Sequence, residues 1–87
     1  MIYLVTHNPQ LFENDLYKVI SEEESLQLLE NLTEVGVDTE TGGIDPHTKQ
    51  LLLVQLGCYD FQVVIDCRTV DITFYKDFLE SNRLFLF

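Results

Sequence analysis

Basic residues are scarce in this sequence. Five Lys and Arg stand against fifteen Asp and Glu among 87 residues, which gives a formal net charge of -10. The field of such a chain repels polyanions, so the composition excludes a free-standing nucleic-acid-binding module that relies on its own basic surface. It does not exclude an enzyme that meets phosphate through divalent cations, because a bound cation reverses the local sign of the charge. Such an enzyme would need basic surface from another part of the chain or from a partner.

The sequence also has few glycines, prolines and cysteines and no long apolar run, which narrows the possible classes of protein further. Only four Gly and two Pro accompany a hydrophobic content of 46%, so we expect a folded domain rather than disorder. No apolar run approaches the ~18 residues of a membrane span, and the N-terminus lacks the basic start of a signal peptide. We therefore expect a cytoplasmic protein with no membrane partner. The two cysteines, Cys58 and Cys67, are expected to be reduced, with a disulfide across neighbouring strands as the alternative.

The first half of the chain predicts two short strands and a helix. MIYLVT and YKVI are rich in β-branched and aromatic residues, which is typical of strands. A helix is predicted at about 22–32, with Ser21 as its N-cap and Glu24 completing a capping box. Leu28, Leu29 and Leu32 give this helix its apolar side.

The second half predicts an antiparallel meander and a second helix. Three strands, in EVGVDTE, KQLLLVQLGCY and FQVVIDC, are joined by connections too short for a helical crossover, which indicates a meander at about 34–67. A helix is predicted at about 72–82, capped by Asp71 or Thr73, with Phe74, Phe78 and Leu79 facing inward. RLFLF then begins a further strand. The predicted class is α/β, with a mixed sheet flanked by two helices.

Two acids interrupt the first strand of the meander. Asp38 and Glu40 are two positions apart, so they project from the same face of a strand. Like charges this close oppose each other unless a cation is present, and carboxylate oxygens suit Mg²⁺ or Mn²⁺. Two such acids are typical of sites that cleave phosphodiesters with two metals. The alternative is an edge strand whose acids simply face solvent, since the D-x-E pattern alone is common.

The surrounding stretch VGVDTETGGIDP is more specific, because two glycines follow the acids and let backbone approach a ligand closely. It resembles the first motif of the DEDD family of 3′–5′ exonucleases, which in many members reads DxETTGLDP. KQLLLVQLG and FQVVIDC resemble the next two strands of the same ribonuclease-H-like domain. The similarity extends from about Tyr17 to Phe87. Its nearest form is the proofreading domain of family A DNA polymerases, and the ribonuclease D group is related.

The resemblance implies a proofreading-type exonuclease that hydrolyses terminal phosphodiesters of DNA with two divalent metals, Mg²⁺ or Mn²⁺. Asp38 and Glu40 match the first two of the family's four acids and are thus the predicted catalytic and metal-binding residues. Gly42 replaces a threonine of the commoner pattern, so a hydroxyl contact there is in doubt. The positions that contact the 3′-terminal nucleotide in the family match Thr41, Gly42, Gly43 and Ile44.

The family's second and third motifs are missing from this sequence, because RLFLF corresponds to the strand that precedes the second motif. We therefore interpret 1–87 as a single partial domain, an N-terminal fragment whose active site is incomplete and inactive alone. The expected partners are a single-stranded DNA 3′ end, or RNA, and the remaining part of a polymerase or exonuclease chain. An exposed apolar C-terminal strand would also favour a homo-oligomer.

Three alternatives to DNA proofreading stay open. The chain could be a degenerate exonuclease module with a structural or partner-binding role, or part of a ribonuclease D-like exoribonuclease. It could also be an acidic protein that mimics nucleic acid. The mimic ranks last, because it would display its acids as a surface array, whereas Asp38 and Glu40 stand among valines.

Overall fold

A mixed six-stranded sheet is the centre of the structure, a computed structural model that describes residues 1–9, 16–42, 50–81 and 84–86. None of the helices in the described ranges is long and apolar enough to cross a membrane. The strands are β1 (Ile2–Val5), β2 (Tyr17–Val19), β3 (Val35–Gly42), β4 (Gln50–Gly57), β5 (Gln62–Asp66) and β6 (Leu84–Leu86).

The strand order is β2-β1-β5-β4-β3-β6. β3, β4 and β5 pair antiparallel, which confirms the predicted meander. β1 inserts between β2 and β5 and is parallel to both, while β6 adds to the other side of the meander, parallel to β3. Because β4 runs antiparallel to both of its neighbours, β1, β3 and β5 all point in one direction. Their carboxyl ends therefore lie along the same edge of the sheet.

Helix α1 (Glu22–Glu30) begins as the sequence predicts. The Ser21 hydroxyl accepts a hydrogen bond from the Glu24 backbone N–H at 3.1 Å, and the Glu24 carboxylate reaches back to the Ser21 N–H. Three glutamates in the first turn stabilise the helix, because their negative charges lie near the positive end of the helix dipole. The helix ends at Glu30, two residues before the predicted end, so Leu32 packs against the core from beyond it.

The second predicted helix is a shorter, composite element. A 3₁₀ helix (Ile72–Tyr75) leads directly into α2 (Lys76–Leu79), and Asp71 caps the 3₁₀ helix by accepting from the Thr73 N–H at 3.0 Å. The prediction that Phe74 faces inward is wrong. Phe74 is 44% exposed, and its neighbour Tyr75 is fully buried. A 3₁₀ helix has three residues per turn, which places Tyr75 rather than Phe74 in line with buried Phe78.

Both helices pack on one face of the sheet, here called the helix face. The Tyr75 hydroxyl lies 2.7 Å from the Ser25 hydroxyl, which in turn donates to the Glu22 carbonyl at 2.7 Å. Burial, partly offset by the Ser25 hydrogen bond, raises the pKa of Tyr75 to about 12, so its hydroxyl stays protonated and able to donate. The core of this face consists of Val5, Ile20, Leu29, Val35, Val54, Leu56, Val63, Ile65, Val70, Tyr75 and Phe78.

Asp66, at the end of β5, is fully buried and joins the ends of two strands. One carboxylate oxygen accepts from the hydroxyls of Thr6 (2.8 Å) and Thr69 (3.2 Å), and the other accepts from the backbone and side chain of Arg68 (3.2 and 3.1 Å). Thr6 and Thr69 accept in turn from the N–H groups of Asn8 and His7. The network thus fastens the exit of β1 to the turn after β5.

These partners set the ionisation of Asp66. Burial alone would raise its pKa, but the hydrogen bonds from Thr6 and Arg68 and the Arg68 charge outweigh burial and hold the pKa below the usual value. Next to it, burial and the Asp66 charge raise the pKa of the Cys67 thiol. Cys58 and Cys67 are both unpaired thiols.

We predict that Asp66→Asn lowers the free energy of unfolding at pH 7 by about 2 kcal/mol, because the NH₂ group that replaces one carboxylate oxygen cannot accept from the two donors that this oxygen serves. The folded-state pKa of Asp66 is depressed, so its contribution is present above the unfolded value of ~3.9 and is lost as pH falls through the folded value. Urea unfolding at pH 7 and pH 3 should therefore show the gap between the two proteins closing in acid.

The matched control is Asp60→Asn, which changes an exposed turn acid to the same amide. It should unfold as the parent protein does at both pH values. A gap for Asp66→Asn that is equally large at pH 3 would contradict the assigned role of the ionised carboxylate.

Candidate functional site

The two predicted acids lie side by side on the face of the sheet opposite the helices. Asp38 is the cross-strand partner of Gln55, and Glu40 is the partner of Leu53 on the same strand. Asp38, Glu40 and Gln55 are all exposed. We call this surface, defined by Asp38, Glu40, Gln55 and Gln62, the acidic face. The structure thus brings both predicted metal-binding acids together on an accessible surface.

The alternation of β3 explains this placement. Val35 is fully buried and Val37 packs against the core of the helix face, so the residues between and after them turn to the opposite face. Burial of the valines therefore determines where the carboxylates point. Neighbouring acids of one strand face have Cα atoms roughly 6.6 Å apart, within reach of a shared cation.

Asp38 has a local partner that leaves it open to a ligand. One of its carboxylate oxygens accepts from the backbone N–H of Thr39 at 2.9 Å. Among the described residues, ion pairs join His7 to Glu22 and Arg68 to Asp66, and neither pair involves the acidic face. A basic side chain therefore does not neutralise Asp38 and Glu40 within this part of the chain.

The pairing of β3 with β4 is irregular immediately after Glu40. Glu40 pairs with Leu53, but Thr41 pairs with Leu51, so β4 contributes one extra residue at this point. Such bulges bend a strand and redirect its side chains, and they are frequent beside active sites. Thr41 and Gly42 belong to the end of β3 past this bulge. The other two predicted substrate-binding residues, Gly43 and Ile44, lie outside the described residues.

Asp66 is the third acid on the same edge of the sheet, but its carboxylate is already committed. The register aligns Glu40, Leu53 and Asp66 in one row across β3, β4 and β5. A carboxylate offers about four acceptor positions, and four donors occupy those of Asp66. Asp66 is therefore not available to replace a missing catalytic acid.

A divalent cation would find a suitable but partial set of ligands here. Two exposed carboxylates supply the hard oxygen atoms that Mg²⁺ and Mn²⁺ prefer. Across residues 1–9, 16–42, 50–81 and 84–86, no cluster of three or more His, Cys, Asp and Glu side chains could hold a metal. The described residues thus fit a cation at Asp38 and Glu40 whose other ligands come from water, from substrate, or from acids outside these ranges.

Sequence reasoning missed a pair of glutamines on the acidic face. The Gln55 side chain donates to the Gln62 amide oxygen at 3.3 Å. Gln62, which was not considered, donates from its own amide to the Cys58 carbonyl at 2.8 Å. The sequence contained a signal for this pair, because Gln55 and Gln62 are polar residues on two strands that a tight turn joins.

Solved structures with a similar fold include RRP6 and RNase D. The catalytic core of RRP6 from Trypanosoma brucei matches 99% of this chain with a TM-score of 0.69 and 17% sequence identity. RNase D from Escherichia coli, described as an exoribonuclease involved in structured RNA processing, matches 72% of this chain with a TM-score of 0.58 and 20% identity. No protein-family model and no curated protein sequence matches the chain.

These similarities define the class of fold. The mixed sheet with its helices is the α/β, ribonuclease-H-like fold of RNase D and of the catalytic core of RRP6, which confirms the fold that the VGVDTETGGIDP resemblance implies. The chain spans only 21% and 17% of the length of these two proteins. The particular relation to polymerase proofreading domains stays a prediction.

We predict that Asp38→Asn raises the melting temperature slightly when EDTA is present, by about 1–2 °C, because it removes one of two like charges on an exposed strand face. In Mn²⁺ the order should reverse, since a cation that binds the folded state stabilises the parent protein by mass action. Differential scanning fluorimetry in the two buffers measures both effects. Asp60→Asn again serves as the control, and a variant that melts below the parent protein in EDTA would contradict the prediction.

Proposed function

We propose that this chain is part of a metal-dependent 3′–5′ exonuclease and carries the first half of its active site. The observation that carries the proposal is the pair of exposed carboxylates, Asp38 and Glu40, that β3 presents on the face opposite the helices. The fold shared with an exoribonuclease supports the proposal. Two acids that served only to keep the protein in solution would not require the β-bulge that follows Glu40 in the pairing of β3 with β4.

Asp38 and Glu40 would hold the divalent cations, Mg²⁺ or Mn²⁺. A bound cation supplies a Lewis acid for the phosphate and lowers the pKa of a bound water. The Thr39 N–H steadies one oxygen of Asp38, which leaves the other for this task. In the reaction, water adds to the terminal phosphorus, the 3′ oxygen of the preceding nucleotide leaves, and a nucleoside monophosphate is released. Backbone at Thr41, Gly42, Gly43 and Ile44 would lie against the 3′-terminal nucleotide.

RNA is the substrate that we favour. DNA proofreading was the first interpretation of the sequence, and the ribonuclease D-like activity was an alternative. The structural neighbour whose activity is described is an exoribonuclease, which supports the alternative. We therefore propose a single-stranded RNA 3′ end as the principal partner and a DNA 3′ end as the competitor.

The proposed activity needs more acids than the described residues supply. Two-metal catalysis in this family uses four carboxylates, and Asp66 is occupied by its four donors. We propose that 1–87 is one partial domain and that the remaining part of an exonuclease chain provides the other acids. The second candidate is a degenerate module that keeps the fold for partner binding. The saturated Asp66 favours it, and loss of cation affinity would identify it.

The deciding experiment is isothermal titration of Mn²⁺ into the chain and into Asp38→Asn and Glu40→Gln. We expect saturable binding to the parent protein, and affinity at least tenfold weaker in each variant because each amide removes one of two anionic ligands. Asp60→Asn is the matched control and should bind as the parent protein does. Thermal melts of each protein establish that the variants are folded.

A second measurement decides between RNA and DNA. Fluorescence anisotropy with Mn²⁺ and matched single-stranded RNA and DNA oligonucleotides should show tighter binding of RNA, and weaker binding when the 3′ end is blocked. If the chain binds Mn²⁺ saturably but binds the DNA oligonucleotide more tightly than the RNA, the result would support the DNA proofreading interpretation instead. Absence of Mn²⁺ binding in all proteins would reject the exonuclease site and leave the degenerate module.

A further inference from the structure

A neutral amide lies beside the proposed cation ligands on the acidic face. Gln55 is the direct cross-strand partner of Asp38, so the two side chains leave the sheet on the same face with Cβ atoms about 5 Å apart. Gln55 is exposed although it belongs to a central strand of the sheet. It thus occupies the position nearest to Asp38 on the adjacent strand.

The orientation of the Gln55 amide follows from its hydrogen bonds. The Cys58 carbonyl can only accept, so the group that Gln62 directs to it, at 2.8 Å, must be the NH₂. The Gln62 amide oxygen is then the atom near Gln55, and Gln55 must donate to it. This leaves Gln55 with its own carbonyl oxygen and a second N–H, neither of which is used in the described hydrogen bonds.

Gly57 makes room for this arrangement. It pairs with Gln62 across β4 and β5, and a Cβ atom at position 57 would overlap the Gln62 amide oxygen and lie 2.6 Å from the Phe61 carbonyl. Any larger residue would therefore displace the Gln62 side chain or the backbone beside it. The glycine allows Gln62 to lie across β4 and orient Gln55.

We propose that Gln55 is a positioning residue of the cation site at Asp38 and Glu40, oriented by Gln62. Its free carbonyl oxygen accepts a hydrogen bond from a water ligand of the cation. This inference rests on the proposed function. An amide suits the role because it carries no charge, so it can hold a ligand water without neutralising the carboxylates as a lysine would. Partners of this kind contribute about 10- to 100-fold to metal affinity.

The test is Mn²⁺ titration of Gln55→Met and Gln62→Met, which keep an unbranched side chain of similar length and remove the amide. We expect affinity about tenfold weaker for Gln55→Met, and a smaller loss for Gln62→Met because Gln55 remains but is no longer oriented. Gln27→Met is the matched control, since Gln27 is exposed on α1, on the other face. It should bind as the parent protein does.

A second readout needs no variant of Gln55. Titration of Mg²⁺ into ¹⁵N-labelled protein should shift the side-chain NH₂ resonances of Gln55, and less strongly those of Gln62. The same resonances should stay in place in Asp38→Asn. A purely structural amide pair would not respond to the cation in this way.

The outcomes separate this inference from the proposed function. If Asp38→Asn abolishes binding while Gln55→Met binds as the parent protein does and the NH₂ resonances do not move, the role of Gln55 is rejected and the cation site stands. If Asp38→Asn binds Mn²⁺ as tightly as the parent protein, both proposals fall. Weaker binding in Gln55→Met together with shifted resonances supports both.

Discussion

The pairing of β3 with β4 is the constraint on which the rest of the site depends. Side chains alternate along a strand, so a slip of one residue would exchange the two faces completely. Asp38 would then enter the helix face, and Val37 would face solvent. Burying an unpaired carboxylate costs several kcal/mol, and so the correct register is strongly preferred. The same packing that forms the core therefore places the carboxylates on the acidic face.

Two aspartates, Asp66 and Asp38, have different roles in this structure because they have different hydrogen-bond partners. Asp66 is enclosed and accepts from four donors, so it acts as a structural joint between β1 and the turn after β5. Asp38 accepts from one backbone N–H and remains exposed. A carboxylate whose acceptor positions are full cannot also serve a cation. Hydrogen-bond saturation, rather than position along the sheet edge, distinguishes the joint from the proposed ligand.

Local patterns in the sequence were sufficient to predict the elements with local causes. The Ser21 and Glu24 capping box and the antiparallel meander depend on residues close in sequence, and both predictions are confirmed. The 3₁₀ geometry before α2 was not predictable from apolar spacing alone, and so Phe74 was placed inward instead of Tyr75. The pairing of Tyr75 with Ser25 depends on a contact between distant segments, which periodicity does not report.

The candidate site likewise contains residues that the sequence could identify and residues that it could not. Asp38 and Glu40 were identifiable because their spacing and the glycines after them form a continuous motif. The alignment of Gln55 with Asp38 and the orientation of Gln62 depend on strand register and on space at Gly57. The four donors to Asp66 come from three separate positions, one of them 60 residues away. Such relations exist only once the sheet is assembled.

The central position of β1 has a consequence for how the chain folds. β1 pairs with β5, whose residues follow some 60 positions later, and a helix and three further strands intervene. During synthesis β1 can pair with β2 early, but its other edge must stay unpaired until β5 has been made. Closing so long a loop precedes the gain from pairing, so the topology favours slow folding. In the interval the open edge of β1 can be bound by chaperones that recognise extended apolar segments.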